Sequence, residues 1–408
     1  MTRTSTALII GGGIAGPVTA MALQKAGIDS VVYEGHLTGA DAIGVILTLA
    51  SNGIDALRVL EADKPALAAG FPTPAILLRN SAGKRLGISR TGVPLADGTT
   101  SHTLKRADLY RVLHQEASSR GVPIEHGKRL VAVEETGEQV RAMFADGSEG
   151  VGDVLIGCDG IHSTVRRLID REAPAPTYSG LLTNGGYARG VRVDTDPGSY
   201  EMIFGRRAFF GYAPAPDGEV WWFANLPRRD EPAHGELAAI SNEEWRRRLL
   251  DLFADDAGPA VQLIQATPEL LPMSPIHSIP HLPTWHTDRM IVIGDAAHAP
   301  SPTSGQGAAL SIEDALVLAT CLRDLPDPTT AFARFEATRR PRVEAIIKWA
   351  ARINSSKAPG PVGRALRDAM LPLILKLTAD SKAHRQILHY HIDWDSPADS
   401  SPSVIEQA

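Results

Sequence analysis

The sequence predicts an α/β fold in which a Rossmann-like parallel-sheet domain carries an inserted antiparallel sheet and is followed by C-terminal helices. Three observations support this prediction. Short uncharged apolar runs, typical of strands buried on both faces of a parallel sheet, lead into glycine-containing turns near residues 11, 157 and 294. The middle of the chain has strand-like segments separated by Asp-Gly and Pro-Gly turns. Beyond residue 330 the apolar spacing becomes helical.

Length and composition limit the classes of protein to be considered. The 408 residues suggest two domains or three small ones, and 43% apolar with 22% charged residues is ordinary for a globular protein. The formal net charge of −6 argues against nucleic acid as the main partner. The only cysteines, Cys158 and Cys321, are expected to be reduced thiols, which favours a cytoplasmic protein. The spacing of Cys and His residues predicts no metal site.

The uncharged N-terminal stretch from Thr4 to Gln24 is not predicted to be a signal peptide or a membrane anchor. Three adjacent glycines and Pro17 interrupt it, and no typical cleavage site follows. No other uncharged apolar run in the sequence is long enough to cross a bilayer. We therefore expect no membrane partner.

The first motif follows the apolar run at residues 7–10 and fits the pattern G-x-G-x-x-G. Gly11 permits the tight turn, Gly13 lets the backbone approach a pyrophosphate, and Gly16 lets the following helix pack closely on the sheet. Pro17 suits the first helical turn, where its missing N–H costs nothing. Free N–H groups at a helix start bind phosphate.

A second strand over residues 30–33 ends at Glu34, eighteen residues after Gly16. A carboxylate there can accept hydrogen bonds from both ribose hydroxyls. Strand, glycines, helix, strand and acid in this order predict dinucleotide binding. The unit by itself does not distinguish NAD from FAD.

Two further motifs follow buried strands. Residues 153–158 lead into Asp159-Gly160, and residues 289–293 lead into Gly294-Asp295. The latter is followed by Gly305-Gln306-Gly307, which opens a helix predicted over residues 308–322.

With these three motifs in this order, the chain resembles the class A flavoprotein monooxygenases of the para-hydroxybenzoate hydroxylase type over about residues 5–345. The resemblance implies FAD as cofactor, NADPH or NADH as co-substrate, and transfer of an oxygen atom from O2 through a C4a-hydroperoxyflavin. It also implies roles for individual residues. Glu34 would bind the adenosine ribose, Asp295 the ribityl chain, and Asp159 the pyrophosphates of FAD and the nicotinamide coenzyme. Arg106 would contact the flavin diphosphate or ribityl chain.

Each of these residues also has a purely structural interpretation. Either aspartate could cap the helix that follows it, and Arg106 could form a surface ion pair. His298 is expected to be a structural hydrogen-bonding histidine rather than a base. The N–H groups after Gly305 would face the flavin pyrimidine and stabilise its reduced anion. The complete expected cofactor-binding set is Gly11, Gly13, Ala15, Gly16, Glu34, Arg106, Asp159, Asp295, Gly305, Gly307 and Ala308.

The resemblance also predicts a discontinuous domain organisation. The FAD-binding domain would comprise residues 1–70, 99–175 and 285–345, and the substrate-binding domain residues 71–98 and 176–284. Residues 346–392 would form C-terminal helices, and residues 393–408 a polar tail that frays. Within the insert, strands are predicted over residues 187–193, 201–204, 208–213 and 220–226.

Six aromatic residues lie within fifteen positions of the insert, between Phe209 and Phe223. Along a strand, Phe210 and Tyr212 share one face, as do Trp221 and Phe223, whereas Trp222 points to the opposite side from its neighbours. These rings are either sheet core or the roof of an aromatic substrate cavity over the flavin. No catalytic acid or base is predicted. The pocket candidates are Phe210, Tyr212, Trp222 and Pro300, with the loops at residues 43–48 and 300–304 as the next places to examine.

The sequence therefore predicts a flavin-dependent monooxygenase that hydroxylates or epoxidises a bulky aromatic or polycyclic small molecule, as a monomer or homodimer. Two alternatives within the fold remain open, a tetracycline-inactivating monooxygenase and a flavoprotein oxidase. A flavoprotein that binds a ligand without turnover is the alternative from another class.

Overall fold

The computed structural model describes residues 4–38, 45–196, 198–354, 360–378 and 387–398. Within them, eighteen strands and ten α-helices build one parallel sheet, one large mixed sheet and two small sheets. The strands are β1 (Thr6–Ile10), β2 (Asp29–Glu34), β3 (Ile46–Leu49), β4 (Gly70–Pro72), β5 (Ala75–Asn80), β6 (Arg85–Arg90), β7 (His102–Lys105), β8 (Ile124–His126), β9 (Leu130–Thr136), β10 (Gln139–Phe144), β11 (Glu149–Gly152), β12 (Val154–Gly157), β13 (Thr177–Ala188), β14 (Tyr200–Phe204), β15 (Phe209–Pro214), β16 (Val220–Pro227), β17 (Ser274–Ser278) and β18 (Met290–Val292). The helices are α1 (Ala15–Lys25), α2 (Ser51–Val59), α3 (Asp63–Ala68), α4 (Arg106–Ser119), α5 (Thr164–Ile169), α6 (Asn242–Phe253), α7 (Ala260–Gln265), α8 (Gly307–Asp324), α9 (Pro328–Asn354) and α10 (Pro361–Thr378).

The parallel sheet has the order β18-β12-β1-β2-β8. Its central strands are the uncharged apolar runs of the sequence, and β1 and β12 are buried along almost their whole length because neighbours cover both faces. All five strands run in the same direction, so their carboxyl ends meet at one edge. This edge brings together the glycine turn after β1, Glu34 at the end of β2, and the two aspartate motifs after β12 and β18.

The large sheet has the order β17-β13-β16-β15-β14-β5-β6 and is antiparallel except where β14 pairs with β5. It combines strands from both segments of the predicted insert. The predicted fold class is confirmed. The domain boundaries stay a prediction.

One predicted strand is wrong. The sequence suggested a strand over residues 187–193, but β13 begins ten residues earlier and ends at Ala188. The bounds of β13 follow from the strands that pair with it. It lies between β16 and β17, and its pairing with β16 runs from Leu181 opposite Pro227 to Ala188 opposite Val220. The residues beyond Ala188 have no strand opposite them among those described.

The helices cover the sheets unequally. Helix α8 is buried over most of its length between α1, α2 and α9, while α6 and α7 cover one face of the large sheet. Helix α10, one of the predicted C-terminal helices, packs on β6 and is described as far as Thr378, since residues 379–386 lie outside the described part of the chain. No helix in the described ranges is long and apolar enough to cross a membrane.

The first part of the predicted frayed tail is ordered. The Trp394 ring lies against the guanidinium of Arg323, 4.8 Å from it, and its carbonyl oxygen accepts a 2.6 Å hydrogen bond from the same group. An aromatic side chain in a polar segment thus docks residues 393–398 on α8. Residues 399–408 lie outside the described residues.

Candidate active site

The glycine turn after β1 is shaped by close backbone approaches. Gly11 has φ +105°, and a Cβ there would lie 2.5 Å from the carbonyl oxygen of Cys158. A Cβ on Gly16 would overlap the carbonyl oxygen of Gly11. Gly13, by contrast, has open space where its Cβ would be. The turn is therefore closed toward the protein and open on the side where a phosphate group would approach. Ala15 is buried at the start of α1.

Glu34 lies against this turn. It is 9% exposed, and its two carboxylate oxygens accept hydrogen bonds from the backbone N–H groups of Gly12 (2.7 Å) and His36 (2.8 Å). An ionised carboxylate has about four acceptor positions, so capacity remains for ribose hydroxyls. The structure thus places Glu34 beside the predicted pyrophosphate turn.

Asp159 makes the contacts of a helix cap. Its carboxylate accepts hydrogen bonds from the Ser163 hydroxyl (2.5 Å) and from the N–H groups of Thr164 (2.7 Å) and Val165 (3.1 Å) at the start of α5. Burial raises the pKa of this carboxyl, and the hydrogen bonds oppose the shift. The capping alternative therefore accounts for the contacts within the protein, and the ligand role of Asp159 stays a prediction.

Asp295 is different, because its carboxylate has no hydrogen-bond donor among the described residues. Burial raises the pKa of this carboxyl, while the positive charge of nearby Arg106 lowers it. A Cβ on Gly307 would lie 3.8 Å from the Asp295 Oδ1 atom, so the carboxylate borders the start of α8. The structure thus places Asp295 near Arg106 and Gly307, and the binding roles assigned to these residues stay predictions.

The turn before α8 is tight. Gly305 adopts φ +61°, and no atom lies within 4 Å of the position of its missing Cβ. Pro300 is buried before the turn, and Ala308 is half-buried in the first turn of the helix. Gln306, which precedes α8, is only 1% exposed. The first N–H groups of the long helix α8 therefore point out of the helix beside Asp295.

An ionic layer that the sequence analysis missed lies behind this turn. Asp314 accepts hydrogen bonds from the Gly294 N–H (2.8 Å) and Arg339 Nε (2.6 Å), and it contacts His298 Nε2 at 2.5 Å. Burial alone would raise the pKa of Asp314, but His298 and Arg339 lower it to about 2. His298 thus makes the structural hydrogen bond expected of it.

Glu313, the neighbouring residue on α8, is fully buried and contacts two arginines. Arg342 donates to both of its oxygens at 2.9 and 2.8 Å, and Arg339 Nη2 lies 2.7 Å from Oε2. Burial would raise the pKa of Glu313, but the two guanidinium groups hold it below its usual value. The signal in the sequence was the pair of acids on an otherwise apolar helix, followed by the arginines of α9.

Arg166 is a further buried residue near the site that was not predicted from the sequence. It is 1% exposed and donates to the carbonyl oxygens of Ala296 (2.9 Å) and Ile161 (2.8 Å). Its side chain therefore ties the segment after Asp159 to the segment after Gly294. Nothing in the local sequence distinguished it from the adjacent Arg167, which is exposed.

Three of the four pocket candidates lie on the wrong side of the large sheet. Phe210, Tyr212 and Trp222 are almost fully buried against α6 and α7. Phe210 stacks on Trp222 with ring centroids 5.4 Å apart, and the Trp222 indole N–H donates to the Thr267 hydroxyl at 2.7 Å. The prediction that these three residues line the pocket is therefore corrected. Strand alternation separated the two faces of the sheet, but the sequence did not show that α6 and α7 cover the face that carries them.

The opposite face of the sheet is directed toward β3 and β7. There the Tyr187 hydroxyl donates to the Val45 carbonyl oxygen at 3.0 Å, and the Lys105 ammonium group lies 4.3 Å from the Tyr187 ring centroid and 5.3 Å from that of Trp221. Glu219 forms a 2.6 Å ion pair with Lys105 and accepts a 2.8 Å hydrogen bond from the Trp221 indole. Lys105 directly precedes Arg106, so these contacts join the sheet to the segment that borders Asp295.

Between two buried aromatic clusters on this inner face lies a strip of half-buried apolar side chains. Ile76, Met202 and Phe223 contact both clusters without being fully covered. Ile46 of the predicted loop at residues 43–48 packs against the cluster that contains Trp221. Residues 43 and 44 lie outside the described part of the chain. This strip is therefore apolar and only partly covered within the described part of the chain.

An open glycine turn at the carboxyl edge of a parallel sheet, a carboxylate beside the start of a buried helix, and a separate sheet with an apolar face are the features of a dinucleotide-binding enzyme with a second, substrate-binding sheet. Comparison with known proteins narrows this class. Residues 4–350 match the family model described as the FAD binding domain. The chain belongs to this family and is an FAD-dependent monooxygenase.

Individual relatives agree with this assignment. An aurachin C monooxygenase/isomerase from Stigmatella aurantiaca is 31% identical over 85% of this chain and 88% of the relative. An FAD-dependent urate hydroxylase from Klebsiella pneumoniae is 29% identical over 84% of this chain and 87% of its own length. A crystal structure of a variant of Klebsiella pneumoniae HpxO complexed with FAD superposes with a TM-score of 0.83 at 25% identity, covering 94% of this chain and 98% of that one.

Proposed function

We propose that this enzyme hydroxylates or epoxidises a bulky aromatic or polycyclic small molecule bound on the inner face of the large sheet, using O2 and NADPH or NADH. The single observation that carries the substrate class is the half-buried apolar strip of Ile76, Met202 and Phe223 beside the Trp221 cluster. Flat apolar surfaces of this kind favour planar ligands and exclude water. The relatives named above act, by their names, on aurachin C and urate.

The residues at the carboxyl edge fit FAD. Space is open at Gly13, Gly160 and Gly305, and the carboxylate of Asp295, which has no hydrogen-bond donor among the described residues, borders the start of α8. When bound, FAD supplies the electron transfer and the activation of oxygen. We infer that the holding residues are Gly11, Gly13, Ala15, Gly16, Glu34, Arg106, Asp159, Asp295, Gly305, Gly307 and Ala308.

These residues would bind FAD through hydrogen-bond acceptors, a positive charge and backbone N–H donors. Asp295 would accept hydrogen bonds from ribityl hydroxyls, and Glu34 would accept them from the adenosine ribose. Arg106 lies near Asp295 and would provide positive charge for the diphosphate or ribityl chain. The N–H groups at the start of α8 would stabilise negative charge on the flavin.

The substrate sheet keeps the reaction dry. Trp221 and Tyr187 close one end of the apolar strip, and both are fixed by hydrogen bonds to Glu219 and to the Val45 carbonyl oxygen. Leu371 and Leu375 of α10 pack against the cluster that contains Phe204 and Phe209, which the strip also contacts. No described side chain on the strip itself carries a charge, so we propose that this surface positions the substrate and does not transfer protons.

The test is spectroscopic and kinetic. Purified protein should bind FAD at micromolar affinity or better, and it should oxidise NADPH or NADH faster when an aromatic substrate from a panel of phenols, quinolones and purines is added. Mass spectrometry should then show a product heavier by one oxygen atom, labelled from 18O2. Oxidation of substrate without incorporation of labelled oxygen would identify an oxidase instead. Tight substrate binding without any coenzyme oxidation would favour a non-enzymatic flavoprotein.

We further infer that the protein is cytoplasmic, forms a monomer or homodimer, and is divided into domains at the boundaries predicted above. The sharing of one sheet by residues 75–90 and 177–278 supports this division. Light scattering coupled to gel filtration measures the oligomeric state, and limited proteolysis locates the boundaries.

A further inference from the structure

A chain of buried polar contacts connects α9, α8 and α2 to the residue that precedes α8. Asn52, the second residue of α2, is 2% exposed. Its Nδ2 atom donates to Glu313 Oε1 at 2.6 Å and to Gln306 Oε1 at 3.0 Å. The proposed function uses only the backbone N–H groups at the start of α8. The contacts of Asn52 act instead on the side chain of Gln306.

The chemistry of the donors and acceptors fixes the orientation of each group in this chain. Arg339 and Arg342 surround Glu313, which can then only accept hydrogen bonds. The side chain of Asn52 must therefore turn its NH2 group toward Glu313. The second hydrogen of that NH2 group requires an acceptor, so Gln306 must turn its carbonyl oxygen toward Asn52.

This orientation of the Asn52 amide lowers the stability of the folded protein. The Asn52 Oδ1 atom is buried and has no hydrogen-bond partner among the described residues. Leaving such an acceptor unpaired costs about 1–3 kcal/mol. If Asn52 served only to fill space, an apolar side chain of the same volume would avoid this cost.

We propose that Asn52 is a positioning residue that holds the Gln306 amide with its oxygen turned inward, so that the Gln306 NH2 group stays available as a hydrogen-bond donor at the start of α8. The proposal rests on the proposed FAD site, which places the flavin at this helix start. A fixed neutral donor there stabilises reduced FAD relative to oxidised FAD, because reduction adds negative charge. Asn52 thus affects the reduction potential only through Gln306.

The test is a double-mutant cycle on the reduction potential of the bound FAD. We expect Gln306→Leu to reduce the preference for reduced over oxidised FAD by about tenfold, which is about 30 mV for a two-electron couple. Asn52→Leu should give a smaller shift in the same direction, since the freed amide can rotate. In the double variant Asn52→Leu adds nothing to Gln306→Leu, because its only route of action is gone. All three variants are neutral, so no new charge contributes to the shift.

Asn184→Leu is the matched control. Asn184 is an equally buried asparagine on β13 whose amide donates to the Leu271 carbonyl oxygen, away from α8. It should lower the melting temperature and leave the potential unchanged. If Asn52→Leu does not fold, Asn52→Ala takes its place in the cycle.

The outcomes separate this inference from the proposed function. If the unmodified protein binds no FAD, the proposed function and this inference both fail. If it binds FAD but the two shifts are additive, or if Gln306→Leu leaves the potential unchanged, only the positioning role of Asn52 is overturned.

Discussion

Asp295 carries a carboxylate that the described protein leaves without a hydrogen-bond donor, although burial raises its pKa. Asp295 is half-buried, so its carboxylate is accessible to a ligand. Its neighbour in function, Asp159, is already paired with α5. We therefore expect replacement of Asp295 and replacement of Asp159 to have different effects on FAD binding and on stability.

We expect Asp295→Ala to weaken FAD binding by about tenfold or more, corresponding to ~1.5–3 kcal/mol for a hydrogen bond to a charged group. The melting temperature of the apoprotein should stay the same or rise. Isothermal titration calorimetry with FAD and thermal unfolding without it measure the two effects. Asp255→Ala, at an exposed carboxylate, is the control. Unchanged FAD affinity in Asp295→Ala would contradict the assigned role.

The two cysteines should be chemically inert in the folded protein. Cys158 and Cys321 are both buried and form no disulfide within the described part of the chain, and burial raises the pKa of the Cys158 thiol well above its usual value. Because the thiolate is the reactive form, we expect no reaction with Ellman's reagent until the protein is unfolded, and then reaction of both thiols. Rapid labelling of either cysteine in the native protein would contradict their placement.

At the scale of elements, the two faces of the large sheet should respond differently to mutation. Trp222 packs under α6 and α7, whereas Phe223 belongs to the open strip. We expect Trp222→Ala to lower the free energy of unfolding by about 3–5 kcal/mol. Phe223→Ala should cost less, because its side chain is only half-buried.

The two faces of the sheet can also be distinguished by how tightly coenzyme oxidation is coupled to product formation. Once a substrate is identified, Phe223→Ala should raise the ratio of hydrogen peroxide to product, since water reaches the flavin more easily. The folded fraction of Trp222→Ala should keep the ratio of the unmodified enzyme. An equal effect of both variants on this ratio would place the substrate elsewhere.

Helix α10 has an unusual surface. Leu373 and Leu377 are 60% and 70% exposed, while Leu375 packs on Gly87 of β6. Exposed apolar side chains contribute little to folding. We expect Leu373→Gln and Leu377→Gln to change the free energy of unfolding by less than ~0.5 kcal/mol, and Leu375→Gln to lower it by about 1 kcal/mol or more. Urea unfolding compares the three variants, and equal losses would mean that the exposed face is covered in solution.

At the scale of the whole molecule, Glu219 joins the large sheet to the segment before Arg106. Burial would raise the pKa of Glu219, but Lys105, Arg189 and the Trp221 indole lower it below its usual 4.5. The folded pKa is depressed, so this stabilisation is present above about pH 4.5 and is lost as the pH falls through the folded value.

We therefore expect Glu219→Gln to destabilise the protein at pH 7 by about 1–3 kcal/mol, because it weakens charge-assisted hydrogen bonds. The difference from the unmodified protein should shrink as the pH falls below 4.5. Urea unfolding at a series of pH values measures it. Glu149→Gln, at an exposed ion pair with Arg141, is the control and should show almost no effect at any pH. A constant difference across the series would mean that the Glu219 charge is not responsible.

Much of the carboxyl edge follows from the sequence because local rules govern it. The turn at Gly11 needs a positive φ, α1 begins directly after it, and Glu34 ends the next strand, so the spacing along the chain fixes how these groups meet. Parallel strands then bring Asp159 and Asp295 to the same edge.

The remaining features depend on contacts between distant segments, which local sequence does not encode. Strand alternation separated Trp221 from Trp222, but only the packing of α6 and α7 decided which face is core and which is open. The frayed tail was a reasonable prediction from polar composition, yet Trp394 finds Arg323 on α8.

The sequence by itself predicted dinucleotide binding and the carboxyl edge, since glycines, buried strands and acids act over a few residues, and the order of the three motifs implied FAD through the family resemblance. The tertiary structure alone decided which polar groups are already satisfied: Asp159 is paired with α5, Asp295 is left without a donor, and Asn52 reaches Gln306 from more than 250 positions away in the chain. Which donor satisfies a given acceptor depends on the groups that folding brings near it, and those groups come from distant parts of the chain.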